Sequence, residues 1–180
     1  ERIFQAVNKT VTELSIACHN EIPLTGGLGS SSAALISGLF AGNALCDYEL
    51  TDEDLLQIAV ELEGHPDNVS PALLGGFQVG VSQQGKIITT RIPVPDNLVA
   101  VIYVPNVAMP TTHARSVLDS CIPRKDAVFN IGRVALLIHA FTTGDLTNLA
   151  VATEDRLHHP QRQSIFLPMK NIFRAAISAG

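Results

Sequence analysis

Residues 23–34 read PLTGGLGSSSAA. Gly26, Gly27 and Gly29 let the backbone take positive φ and approach a ligand with no Cβ in the way. Consecutive amides can then converge on an anion, and a helix that starts behind them adds its own unsatisfied N–H groups and dipole. Ser30, Ser31 and Ser32 can cap that helix, donate to phosphate oxygens or ligate a cation. The common lysine-bearing nucleotide loop is excluded, because no lysine lies between Lys9 and Lys86. The order GxGxxG is missing too, so the dinucleotide fingerprint is not present. By itself the segment is a phosphate site or a flexible turn with a serine cap.

A second block, ELEGHPDNVSPALLGG at 61–76, crowds Glu61, Glu63, His65, Asp67 and Asn68 into one helix end and the loop behind it. Taken alone it reads equally as an acidic helix surface, a His-Pro turn and an Asp-Asn cap. His158 and His159 are adjacent, which on a helix does not suit one metal. Cys18, Cys46 and Cys121 are far apart and odd in number, and are expected to be reduced core thiols.

These residues need elements to hold them. Ile3, Phe4, Val7 and Val11 predict the end of an amphipathic helix, and the alternation of Leu14, Ile16 and Cys18 predicts a short strand. Ser30 to Cys46 predicts a helix with small residues on most sides, as one packed on both faces would have. TDEDLL at 51–56 is a helix start, with Thr51 as cap and three acids at the positive end of the dipole, and its apolar repeat runs to about Leu62. Short turns are expected over 68–74. Three strands follow, FQVGVSQ, KIITTRIP and LVAVIYVP, the first two joined at Gln84-Gly85. Helices are expected near 113–119, 125–142, 145–152 and 168–179. Strands in the middle and helices at the end predict an α+β fold with a domain boundary near 93–97.

The 180 residues are 46% hydrophobic and 16% charged, which suits a large core, and the net charge of −5 argues against nucleic acid or an anionic membrane surface. No apolar run reaches a membrane span and no signal peptide is evident, so a cytoplasmic protein is expected. Both ends look cut.

In their order, the two blocks resemble the GHMP small-molecule kinases, and within them the branch that phosphorylates homoserine. Residues 23–33 fit that family's P-x-x-x-G-L-G-S-S-x-A motif, and His65 to Ala72 fit its HxDN[VI]xPA segment. PTTHAR at 110–115 and EDRLHHPQR at 154–162 resemble two later segments that carry arginines. The resemblance implies an ATP-dependent kinase, a transferase making O-phospho-L-homoserine for threonine biosynthesis. Another GHMP kinase of a small alcohol, or a nucleotide-binding fragment without turnover, is the alternative. It implies a two-domain fold: 1–93 an ATP-binding domain with ribosomal-S5-like β-α-β packing, and 94–180 a helix-rich, ferredoxin-like domain. It places ATP phosphates over Pro23, Gly26, Gly27, Leu28, Gly29, Ser30, Ser31, Ser32 and Ala33. Mg²⁺ falls to Ser31 and Glu63, with Glu61 the rival carboxylate two residues earlier on another side of the helix. L-homoserine falls to His65, Asn68, Thr111, Arg115 and Arg162, with no dedicated catalytic base and Asp67 orienting its neighbours. The resemblance also suggests a homodimer. Ser32 stands where the family commonly has alanine, and little effect is expected of its extra hydroxyl.

Overall fold

The computed structural model describes residues 1–11, 13–24, 27–104, 114 and 116–179. They form two compact units, Glu1–Pro93 and Val94–Gly180.

The first unit holds α1 (Arg2–Ala6), α2 (Ser30–Leu45), α3 (Asp52–Glu63), α4 (Pro66–Leu74), β1 (Phe77–Gln83) and β2 (Lys86–Ile92). Its core gathers Ile3 and Phe4 from α1, Ile36 and Leu39 from α2, Leu55, Leu56, Ala59 and Val60 from α3, and Val69 from α4, with Cys46 beside them. Gly42 lets α1 approach closely: a Cβ there would lie 3.2 Å from Ile3 Cβ. The turn between α2 and α3 is closed by buried Asn43, which donates to the Leu50 carbonyl and accepts from its amide. Helix α3 starts in a capping box. Thr51 Oγ1 accepts from the Asp54 amide, and the Asp54 carboxylate accepts from the Thr51 amide. The Thr51 hydroxyl also donates to that carboxylate at 2.6 Å, and this bond foremost, with the amide's, holds the Asp54 carboxyl below its ordinary range.

Strands β1 and β2 pair antiparallel, Phe77 opposite Ile92 and Gln83 opposite Lys86. The two-residue turn takes positive φ at both Gln84 and Gly85, the geometry that suits the right-handed twist of a hairpin. At Gly80 a side chain would crowd Pro66 and the Ser70 hydroxyl, so the glycine lets β1 lie directly against α4.

The second unit holds α5 (Arg124–Thr143), α6 (Leu149–Ala152), α7 (His159–Ile165) and α8 (Met169–Ser178). Its organising residue is Asp155. The carboxylate accepts from the Asn130 side chain and from the amides of Leu157, His158 and His159. Burial alone would raise its pKa, but these four donors outweigh it and hold the carboxyl well below the usual range. Arg133 and Arg156 each lie over the Phe129 ring, at 3.5 and 3.7 Å, and pair with Glu154 and Asp126 respectively.

Several expectations need correction. Residues 13–20 and 98–104 are irregular and join no sheet. A strand is a paired object, and these apolar alternations have no ladder partner among the described residues; Val101 is 93% exposed. Helix α2 buries one stripe, Ser32, Ile36, Leu39 and Asn43, and not both faces, since Phe40 and Leu45 are exposed. Only Cys46 is a core thiol; Cys18, in the unpaired segment, and Cys121, ahead of α5, are exposed. The helix expected over 145–152 forms only from Leu149, because the Asp145 carboxylate accepts from the Thr147 amide and turns the chain first. Residues 66–74 form a full helix, with Pro66 in its first turn. Of the helix expected near 113–119, residues 114 and 116 are helical but 117–119 are a turn, a bend and irregular chain, and 113 and 115 lie outside the described residues.

Candidate functional site

The glycine-serine loop feeds a 16-residue helix. Gly29 is the N-cap of α2 in the left-handed region, φ 74°, and its carbonyl accepts the first helical bond, from the Ala33 amide. Gly27 is left-handed too, φ 70°. A Cβ at either position would meet nothing within 4 Å, so these glycines are required by the backbone and the space above them is open. Among the described residues no side-chain cap bond is made at the start of α2. Its first amides are therefore left for a ligand or water, at the positive end of a long helix. Ser30 Oγ lies 3.5 Å from Asn20 Oδ1, and the same oxygen accepts from the Ile22 amide, which ties the approach to the loop against the helix start. Pro23 and Leu24 are exposed; Gly26 lies outside the described residues.

The C-terminal end of α3 meets the first turn of α2. Ser32 Oγ, 1% exposed as a residue, donates to Glu63 Oε1 at 3.3 Å. Ser31, the preceding residue, is exposed. Helix α3 then ends at once, on Gly64 in the left-handed conformation with its amide bonded to the Val60 carbonyl. Glu61 faces elsewhere: Oε2 accepts from Arg2 at 2.8 Å and Oε1 from Gln57 at 3.3 Å.

Past Gly64 the chain turns into α4 with His65 as N-cap. The imidazole Nδ1 meets Asp67 Oδ1. Asn68 follows in the first turn, half-buried. Packing of α4 on α2, α3 and β1 fixes this block relative to the loop. In the first unit the structure thus brings the start of α2 to Glu63 through Ser32, with His65 and Asn68 following at the start of α4.

Arg162 sits in the last turn of α7, in the second unit. Its Nε is buried with no acceptor among the described residues, and so is the neighbouring Gln161 Oε1 without a donor. Thr111 and Arg115 lie outside the described residues. An open depression of about 440 Å³ in the second unit, lined by Ala127, Asn130, Ile131, Val134, Leu157 and His158, is mainly apolar and includes none of the expected site residues. No three His, Cys, Asp or Glu side chains converge among the described residues. None of the described helices is long and apolar enough to cross a membrane.

Sequence reasoning missed Asn20 and the bond from Ser32 to Glu63. The second was accessible: Ser32 opens the stripe continued by Ile36, Leu39 and Asn43, at spacings of four, three and four, so it had to point inward. For Asn20, no local pattern signals a side chain that bonds across the loop.

Comparison with known proteins bears on the same residues. Residues 1–76 match the N-terminal domain of the GHMP kinases. The chain is 39% identical over 178 residues to the homoserine kinase of Caldicellulosiruptor saccharolyticus, an alignment covering 99% of this chain and 58% of that one. It is 39% identical to the homoserine kinase of Moorella thermoacetica, covering 99% of this chain and 60% of that one. The crystal structure of homoserine kinase from Cytophaga hutchinsonii superposes with a TM-score of 0.78 at 30% identity, over 89% of this chain and 53% of that one. The chain thus spans about three-fifths of the length of the curated relatives it matches.

Proposed function

We propose that the chain belongs to the GHMP kinase family, whose N-terminal domain residues 1–76 match, and that it serves the transfer of the γ-phosphoryl group of ATP to the side-chain hydroxyl of L-homoserine. The observation that carries this reading is the meeting of the α2 first turn with Glu63: open glycine backbone, serine hydroxyls, free helix amides and a carboxylate in one place. In this reading the loop from Pro23 to Ala33, Gly26 included, cradles the phosphates with its amides. Ser31 and Glu63 would hold Mg²⁺, a hard cation that takes oxygen ligands and is commonly bound through one carboxylate with phosphate oxygens completing the shell. When bound, the ion supplies charge neutralisation for the phosphates. Both oxygens of Glu61 are already engaged, which supports Glu63 over Glu61.

Homoserine offers a carboxylate, an ammonium and a primary hydroxyl. Arg115 and Arg162, with Thr111, are assigned to the carboxylate, since a guanidinium binds it through two parallel hydrogen bonds. The Nε of Arg162, buried with no acceptor among the described residues, supports that assignment. His65 and Asn68 are assigned to the amino and hydroxyl ends. No residue acts as a dedicated base. A loose phosphoryl-transfer transition state needs positioning and charge stabilisation more than proton removal. Asp67 then serves to orient the His65 ring.

The finer fold reading is that residues 1–93 form the ATP-binding domain, with S5-like β-α-β packing, and 94–180 a ferredoxin-like second domain. A cytoplasmic homodimer acting in threonine biosynthesis completes the proposal. The test is to incubate the chain, in its full natural reading frame, with Mg-ATP and L-homoserine and identify the product by phosphorus NMR. A primary phosphate monoester on the side-chain oxygen is expected. ATP consumption without that product would overturn the substrate assignment.

A further inference from the structure

We propose that Ser32 is a positioning residue for the metal-binding carboxylate, an inference that rests on the assignment of Glu63 above. A hydroxyl in the first turn of a helix ordinarily caps or faces water. The Ser32 hydroxyl does neither; it is buried, and its bond is spent on Glu63 Oε1. A buried hydroxyl is kept only where it is satisfied, and here the partner is the carboxylate with a proposed role in cation binding.

The setting of Glu63 makes the contact necessary. The carboxylate is on the last residue of α3, with no basic residue in that turn, so its own helix dipole disfavours it there. Gly64 ends the helix directly behind it, leaving Glu63 no following helical turn to pack against. Ser32 supplies what is missing: it fixes the side chain toward the start of α2 and takes one oxygen, and Oε2 remains for the cation. Because Ser32 follows the proposed hydroxyl ligand Ser31 directly, one turn of α2 both provides a ligand and orients the opposing one. Outer partners of this kind commonly govern metal affinity by about 10–100-fold.

The test measures Mn²⁺ binding by electron paramagnetic resonance, in the presence of β,γ-imido-ATP, on the protein in its full reading frame. Ser32→Ala, Ser32→Thr and Glu63→Gln are compared with the parent, with thermal midpoints recorded for each. Ser32→Ala should weaken Mn²⁺ binding about tenfold and raise the Mg²⁺ concentration for half-maximal rate equally, with the KM for homoserine unmoved. Ser32→Thr, which keeps the hydroxyl, should bind Mn²⁺ within about threefold of the parent. If Ser32→Ala lowers only the thermal midpoint while Glu63→Gln abolishes Mn²⁺ binding, Ser32 is merely structural and the inference falls alone. If Glu63→Gln also binds Mn²⁺ normally, the metal assignment falls and the inference with it.

Discussion

At the scale of single residues, the account separates groups that sequence spacing alone leaves equivalent. Glu61 and Glu63 are two positions apart, yet Glu61 is held by an exposed ion pair with Arg2. Such pairs contribute little, so Glu61→Gln should cost less than about 1 kcal/mol in chemical denaturation and leave turnover unchanged. Glu63→Gln should lower kcat/KM by roughly a hundredfold or more, a loss of about 2.7 kcal/mol of transition-state stabilisation, read in steady-state kinetics. Asp67→Asn keeps a polar partner for His65 and should retain turnover within about tenfold. A loss beyond about a thousandfold would mark Asp67 as a base. Asp155 acts on stability. Its pKa is depressed on folding, so its contribution is complete above the ordinary aspartate range and is lost as pH falls through the lower folded value. Asp155→Asn should therefore destabilise the second unit by about 1–3 kcal/mol near neutral pH, and the difference from the parent should shrink in acid melts.

At the scale of elements, the features that position the loop were written in local chemistry. Thr51 with Asp54 three residues on marks the start of α3, and Gln84-Gly85 marks the hairpin, because caps and tight turns depend on a few adjacent residues. The glycine-serine loop was legible for the same reason: positive φ at Gly27 and Gly29 is a local demand. Gly29→Ala should strain the α2 entry by about 1 kcal/mol or more and weaken nucleotide binding, measured by calorimetry with β,γ-imido-ATP. What was not legible is what depends on partners. The alternations at 14–18 and 98–104 have strand character but form no ladder among the described residues, and α2 has apolar residues on a face that nothing described covers. Periodicity gives the inclination of a segment; pairing and burial depend on what lies beside it. Helix α7 is not among the helices that apolar spacing marks; Pro160 occupies its first turn, where a missing amide costs nothing.

At the scale of the whole molecule, the two units differ in how much they bury. The first has a contiguous core from α1 to α4, whereas the described buried apolar residues of the second are Ala140 and Ala152, with Val128, Ile131 and Val134 exposed along α5. Native-state hydrogen exchange should accordingly show its slowest amides in α2 and α3, with those of α5 exchanging faster. The thiols sort the same way: Cys18 and Cys121 should react with a thiol reagent in the native protein, and Cys46 only on unfolding. The candidate site was readable in the sequence where it is contiguous, at 23–34 and 61–72, and less so where it depends on Thr111, Arg115 and Arg162, which stand far along the chain. The measurement that tests the central claim most directly follows ADP release from Mg-ATP with L-homoserine, mevalonate, galactose and shikimate in parallel, using the protein in its full reading frame and Glu63→Gln as control. The account predicts release with L-homoserine alone, suppressed by the substitution. Release with another alcohol, or undiminished release from Glu63→Gln, would contradict it.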